Sequence, residues 1–509
     1  MQTETPRPTL FEINTRVYLN ELSKKLNKQA SFVDVPDSLL LDLANKSFDF
    51  IWFLGVWQIG AVGKDVSRTT KDWQESFRKC LPDLNQNDIT GSPFAVQSYE
   101  VDSFLGGPES LAKLRKRMQA FNLKLCLDFV PNHTAIDNPW VVNNPDFYMQ
   151  GSEVDLQAQP ENYIKIKSKK EEQVFAYGRD PYFSGWPDTL QLNYFNSKFQ
   201  TEMKTVLKKI ASQCDALRCD MAMLVISHVF KKTWGDRTAL GNKNLVESDF
   251  WPNAINEVKS SNPEFKFIAE AYWDLEWELQ QQGFDYTYDK RLYDRLAHEN
   301  AMVVNSHLQA DWDYSQKMVR FLENHDEKRA AEVFFTEKQC AAAVITFFAP
   351  GLLFFHEGQF EGWKKHASVH LNRRPNEETT VSLLNFYASL LHSLKNPEIK
   401  TSSYQILHAR QPYENDDSFK QFVCALRISK NGQANLAVVN YGPSQAQCFL
   451  PLPLPEINNK TVTLNDKLGP NNYEREGSKL TSEGLYLNMQ PWGYHLFEIS
   501  IQQKIELRT

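Results

Sequence analysis

Short apolar runs alternate with amphipathic stretches over most of the chain. That is the pattern of parallel β-strands each followed by a helix. A strand covered on both faces reads as a continuous apolar run, and the covering helix reads at a 3.6-residue period. The runs are Arg16–Leu19, Phe48–Phe53, Leu123–Val130, Ala216–Cys219, Phe265–Ala269, Phe284–Thr287, Val319–Leu322 and Leu352–Phe355. Eight such segments predict an α/β fold of the closed (β/α)8 TIM-barrel type. A helix is expected from Gly107, with Pro108 at its first position and the stripe Leu111, Leu114, Met118 and Phe121 facing the barrel. A second spans Ser197–Gln213, with Phe199, Met203, Val206, Leu207 and Ile210 inward, and Thr379–Leu394 reads as the last barrel helix.

Two connections are longer than a barrel needs, Gly60–Gly107 and His133–Asn196, and both leave strand carboxyl ends, where barrel enzymes place their chemistry. After Lys400 the pattern changes to alternating segments such as Phe419–Ile428, Ala434–Tyr441 and Thr461–Leu464. These predict a C-terminal antiparallel β-sandwich. The expected division is residues 1–132 and 197–400 for the barrel, 133–196 for an inserted domain B, and 401–509 for the β-domain.

A chain of 509 residues is too long for one ordinary core, which agrees with that division. Its net charge of −7 and lack of a basic run argue against a nucleic-acid partner. The start, Met1 to Pro6, has no charged and apolar leader pattern, so no signal peptide is expected. The longest apolar run, Ala341 to Phe355, is broken by Pro350-Gly351 and is too short for a membrane span. Seven cysteines without a CxxC pair are expected to be buried free thiols in a reducing cytoplasm. The basic stretch Lys165, Lys167, Lys169 and Lys170, answered by Glu171 and Glu172, reads as a solvated charge run.

Four carboxylates stand at or just past predicted strand ends: Asp128, Asp220, Glu270 and Asp326. One acid at a strand end means little, but four on different strands, with Arg218, His133 and His325 among them, form a convergent polar site. Arg218 lies two residues before Asp220 and so points to the same strand face. A guanidinium there keeps Asp220 ionised and aimed. Glu270 follows Phe265–Ala269 and precedes Tyr272-Trp273. An apolar wall of that kind is expected to favour its protonated form, as a general acid needs. One ionised and one protonated carboxyl are the requirement of glycoside hydrolysis.

These segments, in this order, resemble the four signature regions of glycoside hydrolase family 13, the α-amylase family. Asp128, Asn132 and His133 match the first, Arg218 and Asp220 the second, Glu270 the third, and His325 with Asp326 the fourth. Gly91–Tyr99 resembles the loop that offers a stacking Tyr, and Gln191-Leu192-Asn193 a motif near the end of the inserted domain. The similarity spans roughly Phe11 to Lys395.

The resemblance implies double displacement at an α-linked glucosyl unit of an oligosaccharide or α-glucan. It makes Asp220 the nucleophile, Glu270 the general acid/base and Asp326 the residue that grips sugar hydroxyls. It also implies that His133 and His325 bind hydroxyls, Tyr99 stacks beneath the sugar and Asp128 braces Arg218. No cofactor is required, and Asn132 is a possible calcium ligand as in calcium-dependent members. The sequence departs from the family pattern at Met223 and Leu224, where starch-cleaving members often carry Lys-His.

Arg329 can reach a sugar hydroxyl or pair with Glu327. His356-Glu357 lacks helical HExxH spacing, so a substrate-facing rim is expected rather than a metal box. A Mg2+-dependent barrel enzyme is disfavoured by Arg218 among the acids, and a catalytically dead subunit by the presence of both acids. Glucosyl or maltosyl transfer, including phosphorolysis or isomerisation, uses the same pair and remains open.

Overall fold

A computed structural model describes residues 7–167 and 172–501. Met1 to Pro6, Lys169, Lys170 and Glu171 therefore lie outside the described residues. Eight parallel strands close into a barrel in chain order: β1 (Thr9–Asn14), β2 (Phe50–Leu54), β3 (Lys124–Phe129), β4 (Ala216–Cys219), β5 (Lys266–Ala269), β6 (Tyr286–Tyr288), β7 (Met318–Arg320) and β8 (Leu352–His356). The register aligns the chemistry-bearing positions, with Arg218 opposite Asp128 on one side and Ile268 on the other.

Seven of the eight strands fall where the apolar runs place them, and the first does not. Arg16–Leu19 lies within the helix Thr15–Leu26, whose N-cap Asn14 accepts from the Val17 N–H at 3.3 Å. The strand precedes it and carries a fully buried Glu12, which interrupts the apolar run that would have marked it. The helix Gly107–Ala120 buries Leu111, Leu114 and Met118, while Phe121 sits at its C-cap, half-buried. Ser197–Ala211 buries Phe199, Met203, Leu207 and Ile210 but leaves Val206 half-buried.

The first long connection forms an antiparallel pair, Trp57–Ile59 with Val96–Val101, and two helices, Ala61–Thr69 and Lys71–Cys80. The second holds a three-stranded sheet (Gln150–Gly151, Glu172–Ala176, Tyr163–Lys167) and the pair His133–Ala135 with Thr189–Gln191. Beyond the barrel, a six-stranded antiparallel sheet and the pair Ala446–Leu450 with Leu485–Met489 share a core that includes Leu436, Val438, Cys448, Leu464 and Phe497. That is the sandwich arrangement.

By contact density the chain divides into two compact units, Leu10–Tyr288 with Lys365–Asn376, and Asp289–Lys364 with the segment ending at Thr9 and the chain from Glu377. The first carries Tyr99, Asp128, Asn132, His133, Arg218, Asp220 and Glu270; the second carries His325, Asp326 and Arg329. Among the described residues no helix is long and apolar enough to cross a membrane.

Candidate active site

Asp220 follows β4 and Glu270 follows β5, and backbone hydrogen bonds continue past both strands. The Asp220 N–H reaches the Phe129 carbonyl at 2.8 Å, and the Glu270 N–H reaches the Cys219 carbonyl at 3.0 Å. The chain then turns sharply through Met221, a non-glycine residue at φ 42°. That turn aims the Met221 N–H at Glu270 Oε2, 2.6 Å away.

Arg218 is completely buried and sits between the two acids. Its Nη1 donates to Asp220 Oδ1 at 2.6 Å, and its Nη2 stands 2.8 Å from Glu270 Oε2 as an ion pair. Three aromatic rings enclose the guanidinium, with centroids 5.5 Å (Trp52), 5.3 Å (Phe94) and 5.7 Å (Tyr288) from Cζ. Such a cage excludes water and makes each charge contact stronger than on a surface. The side chains of Asp220 and Glu270 are themselves only 10% and 5% exposed. A buried cation of this kind persists because carboxylates answer it.

Glu270 is buried, and polar groups meet its carboxyl. Its carboxyl meets the Arg218 guanidinium, the Met221 N–H and the Tyr272 hydroxyl, which donates to Oε1 at 2.8 Å. Tyr272 and Met221 are partners that composition and strand pattern could not supply, since one depends on a turn and the other on a side chain folding back. Asp128 accepts from Trp52 Nε1 at 3.0 Å and from the Gly55 N–H at 2.6 Å, and its carbonyl accepts from Trp57 Nε1 at 2.8 Å. It anchors the loop that follows β2.

His133 is buried with its ring 5.0 Å from the Trp186 ring. Burial pushes its pKa down to about 3, so the imidazole is neutral and can both donate and accept. Tyr99 stands near the acids, for burial first, and then the charges of Asp220 and Asp128, raise its pKa. Its hydroxyl is committed to the backbone of Val130, donating to O at 2.8 Å and accepting from N at 3.0 Å, and its ring packs on Trp57 and Phe129. Phe94, in the same Gly91–Tyr99 segment, is the one of its aromatics that reaches the guanidinium.

In the other unit, His325 Nε2 lies 2.9 Å from Asp326 Oδ2. His325 is buried and the Asp326 side chain is 45% exposed. Asn324 Oδ1 fixes the turn by accepting from the backbone N–H groups of Asp326 and Glu327, both at 2.9 Å. Arg329 is a correction to the expected pairing. It pairs not with Glu327 but with Glu323 Oε1 at 2.8 Å, and it also donates to His356 Nδ1 and the Glu357 carbonyl, each at 2.8 Å. The buried Glu323 requires that countercharge, so the guanidinium is spent inside the protein. Glu327 pairs instead with Lys290 at 3.3 Å.

A calcium ion at Asn132 does not fit. Asn132 Oδ1 accepts from Gln191 Nε2 at 2.9 Å, and its backbone carbonyl accepts from the same amide at 3.0 Å. A hard cation needs six or more oxygens, and an N–H donor aimed at the ligand oxygen opposes it. Among the described residues no group of three or more His, Cys, Asp or Glu is placed to hold a metal ion.

A closed parallel barrel with two buried carboxylates on one guanidinium at its strand ends defines a barrel enzyme of the acid-pair type. A profile of the α-amylase catalytic domain matches residues 94–382, more than half of the chain. Alpha-amylase 3 of Dictyoglomus thermophilum is 23% identical over 302 residues, 54% of this chain and 55% of that protein. Alpha-amylase MalA of Haloarcula japonica is 22% identical over 384 residues, 73% of this chain and 51% of that protein. The chain thus spans about half the length of either. The structure resembles that of a noncanonic maltogenic α-amylase, AmyB, from Thermotoga neapolitana, with TM-score 0.69, 18% identity, and 97% and 99% of the two chains covered. The chain belongs to the α-amylase family, glycoside hydrolase family 13.

Proposed function

We propose that this protein is a retaining α-glycosidase that cleaves α-glucosidic bonds of small α-glucans or oligosaccharides. One observation carries the reading: Asp220 and Glu270 share the two arms of Arg218. Two carboxyls on one guanidinium support the short spacing, about 5 Å, that double displacement uses.

In the first step an Asp220 oxygen attacks the anomeric carbon as the glycosidic C–O bond breaks. Glu270 gives its proton to the departing oxygen. In the second step water, or a sugar hydroxyl, attacks the same carbon. Its proton passes to Glu270, and the ester to Asp220 breaks. Following the family pattern, Asp326, His133 and His325 hold hydroxyls of the reacting sugar, and Asp128 steadies Arg218 from the adjacent strand. Arg329 and Tyr99 act as structural residues.

Met223 and Leu224 are both buried, which supports short substrates rather than internal cleavage of starch. Antiparallel strands within residues 133–196 and after Lys400 support treating those stretches as an inserted and a C-terminal domain. Seven buried free thiols support a reducing, cytoplasmic setting.

The test is a mechanism-based fluorinated glucosyl fluoride followed by intact mass. A single adduct on the parent protein, mapped to Asp220, is the expected result. Asp220→Asn should lose at least about a thousandfold in kcat with an unchanged fold, as removal of a covalent nucleophile does elsewhere. An adduct on another residue, or substantial turnover by Asp220→Asn, overturns the assignment.

A further inference from the structure

We infer that a cavity beside the amino ends of β7 and β8 is a binding site for a small oxyanion, a phosphate group either free or carried on a sugar. Behind its wall three buried arginines, Arg7, Arg320 and Arg427, hold more positive charge than the protein itself answers. The catalytic acids follow the carboxyl ends of their strands, so this is a separate site. Every residue that forms it belongs to the compact unit carrying the C-terminal sheet.

Arg7, Arg320 and Arg427 are 5%, 2% and 0% exposed. Arg320 is answered, since it pairs with the buried Asp289, which His307 Nε2 also reaches at 2.9 Å. Neither Arg7 nor Arg427 pairs with a carboxylate among the described residues. Their bonds go to neutral carbonyls, that of Phe347 for Arg7 and those of Phe348 and Ser402 for Arg427. The carbonyls that end the helix Thr336–Phe348 amount to about half a negative charge. Most of two cations is left over. Burial above all lowers Arg427 to about 9, which still leaves it charged at neutral pH. One donor of each is idle as well: Arg7 Nε and Arg427 Nη2 have no hydrogen-bond partner among the described residues. Buried donors and charges are normally satisfied, by the protein or by a bound water or ion.

Tyr404 is where these cations meet open space. The Arg427 guanidinium stands over its ring, 5.0 Å from the centroid. Burial raises the Tyr404 hydroxyl to about 12, and Arg427, Arg320 and Arg7 all pull against that, so three charges surround one phenol. The same tyrosine lines a cavity of about 320 Å3, together with Pro350, Ser315, Trp312, Gln309 and His408. Pro350 and Ser315 are the residues whose carbonyls Arg320 holds, at 2.8 and 3.3 Å. Ligand sites run from about 300 to 1,000 Å3, so this one suits a phosphate with at most a single sugar ring. Phenol, indole, amide and imidazole supply the N–H and O–H donors that an oxyanion accepts from. One carboxylate stands at the rim, the exposed Asp311, whose side chain caps no backbone N–H.

The experiment is thermal unfolding and calorimetric titration with sodium phosphate, against sodium chloride at matched ionic strength. The parent should show a saturable rise in unfolding temperature with phosphate and one bound ion per chain. Gln309→Glu adds a second exposed carboxylate at the rim and should weaken phosphate binding about tenfold, whereas Asp311→Asn removes one and should strengthen it about threefold. Both positions are exposed, so neither change threatens the fold. Tyr404→Phe and Arg7→Gln, which take a donor and a cation from the site, should each weaken binding about tenfold. Titration with glucose 6-phosphate separates the two sources. Tighter binding than inorganic phosphate assigns the site to a phosphosugar, and equal or weaker binding assigns it to the free ion. No saturable effect of either phosphate beyond that of chloride overturns the site. So do affinities that Gln309→Glu, Asp311→Asn and Tyr404→Phe all leave within twofold of the parent's.

Discussion

Arg218 shows how much of this site depends on a single side chain: one guanidinium orients two acids, and three rings keep water from it. The residue two positions upstream of Asp220 was readable as its partner, because strand alternation fixes the face. The pairing of Arg218 with Glu270 was not readable, since it joins different strands. Tyr99 and Phe94 mark the same limit. Both sit in one aromatic segment, and only the backbone path after Gly91 decides which ring turns toward the guanidinium. Asp188 is a residue no motif singled out. It is 3% exposed, and burial pushes its carboxyl up to about 6. An unfolded aspartate titrates near about 3.9, so between these values the folded chain binds more protons. Stability contributed by the protonated form is therefore complete below about pH 4 and lost as pH rises through 6. Asp188→Asn should raise stability at pH 7.5 by about 1–3 kcal/mol, two pKa units being worth about 2.7 kcal/mol at most. It should do nothing at pH 4. Urea unfolding at both values tests this, and an identical shift at the two pH values excludes the carboxyl as the cause.

At the level of elements, parallel strands were legible because burial on both faces makes them uniformly apolar, and β1 was misplaced because Glu12 breaks its run. The end of the helix Thr336–Phe348 shows a device no local pattern announces. Its last carbonyls need donors, and arginines distant in sequence supply them there and at Pro350, just beyond the C-cap Ala349. Arg7 Nη2 donates to the Phe347 carbonyl, Arg427 Nε to the Phe348 carbonyl at 2.8 Å, and Arg320 Nε to the Pro350 carbonyl at 2.8 Å. The cations also suit the negative end of the helix dipole. Arg427 is fully buried in the C-terminal sheet strand Phe422–Ile428, and burial lowers its pKa to about 9. Arg427→Met removes a costly buried charge but strands the Phe348 and Ser402 carbonyls, each worth about 1–3 kcal/mol. The net expectation is a loss of about 1–3 kcal/mol in thermal or urea unfolding, with turnover of α-glucosyl fluoride unchanged at 25 °C. Stability equal to the parent's would mean that other donors replace the arginine.

For the whole molecule, the barrel and the order of its acids were legible, because they rest on periodicity and on residues a few positions apart. The hydrogen-bond partners that decide whether an atom is available were not. Asn132 carries that distinction to a measurable property. Its place in the first signature segment suggested a calcium ligand, yet Gln191, 59 positions later, turns its amide N–H groups onto both Asn132 oxygens. The strand pair His133–Ala135 with Thr189–Gln191 fixes that contact by register, with Gln191 directly opposite His133. A cation could bind Asn132 only by displacing a buried amide from two of its acceptors, leaving it the Leu192 carbonyl at 3.2 Å, at a cost of about 1–3 kcal/mol. Exhaustive chelation with EDTA should therefore leave both the unfolding temperature and kcat/KM unchanged, and added Ca2+ should not raise either. Gln191→Glu replaces the donor with a carboxylate and converts the pair into an oxygen-rich site, so that variant alone should gain thermal stability with millimolar Ca2+. Loss of stability by the parent on chelation, or its stabilisation by Ca2+, would show that the inserted segment holds a metal through oxygens other than that of Asn132.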